Sequence, residues 1–195
     1  MIGETINAPY AEKFTVSNVF SSDMVVQRGE HIRVWGFADA SENGHKVSGE
    51  FMGMFAEALI ENGAWTLTFG AQLNACAEQG NSMRIYTDRT AFVFENVLVG
   101  DVFMVIGQSN VAYSMAAHRA AVPEAERGGV GYDVPSTPIR LHYNSLTQET
   151  GVTRGTEEVC TELRNRETWK RADAAAVQDF SALGYLFAAE YARAT

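Results

Sequence analysis

The sequence predicts an antiparallel, Ig-like β-sandwich over residues 14–96, followed by the incomplete first part of an α/β domain over residues 97–195. Three observations predict it. Short β-branched runs separated by turn residues recur through the first half. A long apolar run then ends in a small polar turn, at residues 97–110. Large apolar residues at helical spacing close the chain, at residues 180–194.

In the first half, residues 16–20, 24–27 and 32–37 are short, apolar and β-branched. Ser21-Ser22-Asp23, Arg28-Gly29-Glu30 and Ser41-Glu42-Asn43-Gly44 supply the turns. Residues 54–60 and 65–69 flank Glu61-Asn62-Gly63, and Asn-Gly between two such runs predicts a hairpin, because both residues tolerate positive φ. Residues 83–87 and 91–94 bracket Asp88-Arg89. About seven strands at this spacing suit a sandwich.

From residue 97 the pattern changes. Residues 97–106 read as one apolar strand, interrupted at Gly100-Asp101, of the kind buried on both faces of a parallel sheet. Residues 110–121 suit a helix, which ends before Pro123 and Gly128-Gly129-Val130-Gly131. Residues 139–143 form a second strand, entered from Pro135-Ser136-Thr137-Pro138, and residues 148–171 read as a loop. Residues 180–194 are the clearest helix: Phe180, Leu183, Phe187 and Tyr191 make its core stripe, Leu186 lies beside them, and Asp179 or Ser181 caps it. Two strands fall short of the usual four to six of such a sheet, so the second domain reads as incomplete.

The 195 residues carry a formal charge of −9, which argues against nucleic acid or an anionic membrane surface as the main partner. The opening Met-Ile-Gly-Glu-Thr-Ile-Asn-Ala-Pro-Tyr lacks the basic and apolar regions of a signal peptide, and no apolar run reaches the ~20 residues of a membrane span. The chain therefore reads as soluble and, as written, cytoplasmic. Its two cysteines, Cys76 and Cys160, form no CxxC and no zinc spacing. Two buried thiols are the plain expectation, and a disulfide between them stays open. No metal or organic cofactor is expected.

Gly107-Gln108-Ser109-Asn110 holds the chemistry. A serine before a helix is commonly an N-cap. Here the preceding strand is long and apolar, Gly107 permits a tight turn, and Gln108 and Asn110 place polar groups beside Ser109. A serine presented at a sheet edge before a helix is also where a hydrolase puts its nucleophile.

The stretch Val-Leu-Val-Gly-Asp-Val-Phe-Met-Val-Ile-Gly-Gln-Ser-Asn, residues 97–110, resembles the first block of the sialate O-acetylesterase family, which are serine hydrolases of the SGNH (GDSL) type. Residues 18–34 and Trp35-Gly36-Phe37-Ala38 are similar to the opening of that family's β-domain. Asn62-Gly63-Ala64-Trp65 is similar to its Asp/Asn-Gly-x-Trp hairpin. Trp169 and residues 179–187 resemble its helix after the second strand. The resemblance implies that Ser109 attacks the carbonyl of an acetyl ester on sialic acid or a related sugar. It also implies that the Ser109 N–H helps form the oxyanion hole, that Gly107, Gln108 and Asn110 shape the turn, and that Gln108 and Asn110 assist that hole. Members of the family can be exported.

The family's base lies in an Asp-x-x-His block, and this sequence contains none. Glu42-Asn43-Gly44-His45 comes nearest and reads as an exposed turn. On one continuous helix His118 would lie roughly 13 Å from Ser109. His142 sits on the second strand, where convergence on Ser109 is open, and His31 reads as a surface residue at the start of a strand. The chain is therefore expected to be inactive alone. Val111-Ala112-Tyr113 replaces the family's Met-Glu-Trp, which bears on substrate choice. Trp35 and Trp65 read as core, and Glu157, Glu158 and Glu162 as a solvated face. The rival expectation is a non-catalytic glycan-binding or interaction module in which Trp35 or Trp65 stacks on sugar. Association of copies through the open edge of an unfinished sheet is a further possibility.

Overall fold

Apolar and polar residues alternate along residues 31–38 and 64–71, and that alternation sets the first sheet. β2 (Phe14–Val16), β4 (His31–Ala38) and β7 (Ala64–Ala71) pair antiparallel in the order β2-β4-β7. Ile32, Val34, Trp65, Leu67 and Phe69 point into the core. The computed structural model describes residues 4–6, 13–71, 74, 76–127, 138–143 and 168–195. They divide into two units, Met1–Asp101 with Asn144–Trp169, and Val102–Tyr143 with Lys170–Thr195.

A second, six-stranded sheet completes the first unit. β1 (Glu4–Ile6), β9 (Ala91–Gly100), β8 (Cys76–Tyr86), β5 (Lys46–Phe51) and β6 (Met54–Leu59) follow one another across it. β3 (Val25–Gln27) pairs with β9 in parallel, and the other pairings are antiparallel. Val47, Phe51, Ile85 and Phe94 of this sheet share one buried cluster with Val34, Leu67 and Phe69 of the other. Burial of each such side chain contributes roughly 1.5–3 kcal/mol. The approach is close at Gly49, where a Cβ would lie 2.7 Å from both Leu67 and Phe69.

Several expectations change here. The Asn62-Gly63 turn forms, with φ of 53° and 75°, but β6 and β7 leave it into different sheets and share only the Glu61–Ala64 bridge. β5, in the middle of the larger sheet, was not foreseen, because Ser48-Gly49-Glu50 carries little strand propensity. Residues 97–100 do not open a new strand; they end β9, antiparallel to β8 and, over residues 98–100, parallel to the short β3. Glu42 is not a solvated turn residue. It is buried, with His45 Nδ1 at 3.0 Å and Arg89 donating to both carboxylate oxygens at 3.1 and 3.2 Å. Trp65 is core, as expected, but Trp35 is 36% exposed and meets Phe20 edge-on at 4.6 Å. Trp169 joins this unit: its backbone N–H donates to Ser21 Oγ and its indole N–H to the Val19 carbonyl, each at 2.9 Å.

The second unit is helical around a small core. α1 (Ser109–Ala112) and α2 (Met115–Ala121) replace the single helix expected over residues 110–121, with the break at Tyr113-Ser114. β10 (Arg140–Leu141) and β11 (Lys170–Arg171) form a short antiparallel pair, so the expected strand at residues 139–143 is two residues long and, among the described residues, joins no parallel sheet. α3 (Ala174–Asp179), capped by Asp173, was not foreseen. α4 (Ala182–Ala194) forms where the periodicity put it and is capped by Ser181. Met115, Leu141, Val177, Ala182, Tyr185 and Ala189 are its buried cluster.

The face of α4 is the reverse of the expectation. Ala182, Tyr185 and Ala189 are buried, while Leu183 is 55% and Phe187 46% exposed. Both stripes recur at helical spacing, and α4 buries the smaller one. Two serine caps meet beside it. Ser114 Oγ accepts from the Ala117 N–H at 3.2 Å, Ser181 Oγ accepts from the Gly184 N–H at 3.3 Å, and the two serines form an antiparallel bridge. Ser181→Ala removes one cap at a buried site and is expected to cost about 1 kcal/mol. Faster amide exchange at Leu183 and Gly184, with slow exchange kept in the core strands, would report it.

Gly128-Gly129-Val130-Gly131, residues 135–138 apart from Pro138, most of the loop expected at residues 148–171, Glu157, Glu158, Glu162 and Cys160 lie outside the described residues, as does the Cys76 side chain.

Candidate functional site

Ser109 is the first residue of α1, not its cap. Gln108 holds the cap position and makes no side-chain capping bond. The simple capping role for Ser109 therefore does not apply. The turn forms because the Val111 and Ala112 N–H groups both donate to the Gln108 carbonyl, at 3.0 and 2.9 Å. Gly107 is required beneath it, since a Cβ there would lie 2.5 Å from Val111 Cγ2. The far end of α1 is held when the Ala182 N–H donates to the Tyr113 carbonyl at 2.8 Å and the Met115 N–H to the Phe180 carbonyl at 2.9 Å. Serine and α4 are thus tied through the helix junction.

Gly107, Gln108, Ser109 and Asn110 are all exposed. Among the described residues, the Ser109 hydroxyl makes no hydrogen bond, and neither do the Ser109 and Asn110 N–H groups. The first N–H groups of a helix have no intrahelical acceptor. A hydroxyl beside two open N–H donors is an arrangement that can take an ester carbonyl: the oxygen attacks, and the N–H groups meet the charge that develops.

Among the described residues the structure assembles no base beside it. His118 lies on α2, separated from α1 by the break, with its ring 6.1 Å from that of Tyr113. The distance expected on one continuous helix therefore does not apply, and no hydrogen bond joins His118 to Ser109 among the described residues. His142, just after β10, is not bonded to Ser109 either. His31 is exposed at the start of β4, and His45 is engaged with Glu42. Among the described residues no group of three His, Cys, Asp or Glu side chains is placed to hold a metal ion. No helix among them is long and apolar enough to cross a membrane. Trp65 stacks on Phe14 at 5.1 Å and is 3% exposed, so it offers no platform to a sugar.

The coming together of the family-like segments was not legible in the sequence. Trp65 of Asn62-Gly63-Ala64-Trp65 pairs with Gly36 of the Trp35-Gly36 segment, and Trp169 binds the backbone at Val19. Three segments that the sequence scatters are one packing unit.

No protein-family model matches the chain, and no curated protein matches it. Among solved structures it is similar to a carbohydrate acetylesterase from Xanthomonas citri, with 22% sequence identity and a TM-score of 0.67. The likeness covers 93% of this chain and 38% of that one, so the chain spans less than two fifths of the length of its structural neighbour. At this identity the likeness is one of fold: a sheet-rich mixed architecture with helices, held in common with an acetylesterase.

Proposed function

We propose that this chain is the nucleophile-bearing part of a carbohydrate esterase that removes O-acetyl groups from sialic acid or a related sugar. The observation that carries this is Ser109: exposed, unbonded, first in a helical turn over Gly107, and beside two open N–H groups. The paired sheets are read as an Ig-like sandwich over residues 14–96, and residues 97–195 as the first portion of an SGNH-type hydrolase domain. The shared fold of an acetylesterase supports both.

In the proposed reaction Ser109 Oγ attacks the acetyl carbonyl. A histidine base takes the serine proton and passes it to the departing sugar oxygen. Water then cleaves the acetyl-serine and releases acetate, restoring the hydroxyl. The N–H groups of Ser109 and Asn110 bear on the oxyanion, and Gln108 and Gly107 hold the turn. The histidine and its acidic partner are proposed to come from outside these 195 residues. No metal or organic cofactor enters.

Hydrolysis of p-nitrophenyl acetate tests this. Residues 1–195 alone are expected to show no turnover above the buffer rate, because an unactivated serine is a poor nucleophile. Turnover in this chain that vanishes in Ser109→Ala would place a base among its own histidines.

A further inference from the structure

We propose that Asn62 is a site of spontaneous deamidation to aspartate and isoaspartate, and that the side chain of Asn43 controls its rate. Every group involved lies between Ala38 and Ala64 of the first unit, so the inference depends neither on Ser109 nor on residues beyond Thr195. Asparagine followed by glycine occurs twice in the chain, as Glu42-Asn43-Gly44 and Glu61-Asn62-Gly63. Glycine has no Cβ to crowd its own amide nitrogen, which can therefore reach the side chain before it. In this reaction the Gly63 nitrogen, having lost its proton, bonds to Asn62 Cγ. The side-chain nitrogen takes up a proton and leaves as ammonia. Water then opens the cyclic imide at either carbonyl. One opening gives aspartate. The other gives isoaspartate, whose backbone runs through Cβ and Cγ and is one methylene longer.

The two asparagines are both exposed, but they are held differently. Asn43 is held at both reacting groups: its Oδ1 accepts from the Gly63 N–H at 2.9 Å, and the Gly44 N–H donates to the Ile60 carbonyl at 2.8 Å. The Asn62 side chain makes no hydrogen bond among the described residues, so its carboxamide can turn toward Gly63. What restrains the reaction is the Gly63 N–H, engaged by Asn43 Oδ1. A bonded N–H loses its proton only when the bond opens, and an exposed side chain opens more readily than the backbone pair at Gly44 and Ile60. The Gly63 carbonyl stays anchored by the Ala38 N–H at 2.8 Å, so the turn keeps its place when Asn43 lets go. Conversion sets a carboxylate beside Glu61. As isoaspartate it also lengthens the link between β6 and β7, at the turn where the chain changes sheet.

Incubation of the whole chain in mildly alkaline buffer tests the proposal. Peptide mapping by mass spectrometry reads the exchange of NH2 for OH, and methyl transfer by an isoaspartyl methyltransferase reads the isoaspartate. The expected result is conversion at Asn62 ahead of Asn43, and slower than in the same chain unfolded in urea. Asn43→Ala is expected to raise the Asn62 rate about fivefold, the factor of one ordinary hydrogen bond, and to speed amide exchange at Gly63 with it. Asn43→Asp keeps an acceptor oxygen and is expected to hold both rates near those of the parent. Thermal melts check that each variant is folded. If Asn43→Ala melts early, the order of conversion in the parent and the rate in Asn43→Asp decide. Conversion at Asn43 first overturns the proposal. So does an Asn62 that stays intact while the urea-unfolded chain converts, or an Asn62 rate in folded Asn43→Ala equal to that of the parent.

Discussion

Gly36→Ala is expected to lower the stability of the first unit by about 3 kcal/mol. A Cβ at this position would lie 2.0 Å from the Thr15 carbonyl oxygen and 2.5 and 2.7 Å from atoms of the Trp65 indole. The oxygen belongs to the backbone of a paired strand, and Trp65 is 3% exposed and stacked on Phe14, so neither neighbour can turn aside. Relief would require β2 or β7 to shift out of register. Gly29→Ala is the matched control: Gly29 has φ of 78° and nothing within 4 Å of its Cβ position. Its replacement is expected to cost about 1 kcal/mol, from backbone strain alone. Urea unfolding of both variants separates the two costs. Equal losses would mean that Trp65 yields, and the close packing of Gly36 would not be a constraint.

Ser109→Ala is expected to divide stability from activity. The hydroxyl is exposed and unbonded, so the unfolding free energy should stay within about 0.5 kcal/mol of the parent. In a polypeptide that continues past Thr195 and supplies the base, loss of the nucleophile is expected to cost on the order of 10⁴-fold or more in kcat for acetyl-ester hydrolysis. A drop of less than about tenfold there would remove Ser109 from the chemistry. The Gln108 and Asn110 side chains make no hydrogen bond among the described residues, which leaves them open to substrate.

The parts of the fold that were legible are those set by local chemistry. Asn62-Gly63 forms its turn because both residues take positive φ. Ser181 caps α4 because its hydroxyl reaches the Gly184 N–H. The serine turn follows from Gly107, which alone leaves room for Val111. What escaped was decided at a distance. Which face of α4 is buried depends on what packs against it, and a helix with alanines on one side and Leu183, Phe187 and Tyr191 on the other is apolar on both. The apolar run from residue 97 looked like one strand, but it divides at Asp101, whose carboxylate accepts from Arg28 Nε at 2.7 Å as the first unit ends. Glu42 looked like a turn residue because its partner Arg89 lies 47 positions away. The candidate site shows the same division: the serine turn is local and legible, whereas a base must arrive from elsewhere in the fold, and no short spacing announces it.

Trp169 carries a consequence for synthesis. Its bonds to Ser21 and Val19 span 148 and 150 residues, so the first unit is not finished when its last sheet strand, ending at Gly100, is made. A ribosome adds about 5–20 residues per second. On the order of ten seconds therefore separate the emergence of the Val19 carbonyl from that of the indole that binds it. During that interval the strands can pair, but the clasp at Val19 and Ser21 stays open. The second unit interrupts the first in the chain, so its helices begin to emerge before the first unit has closed.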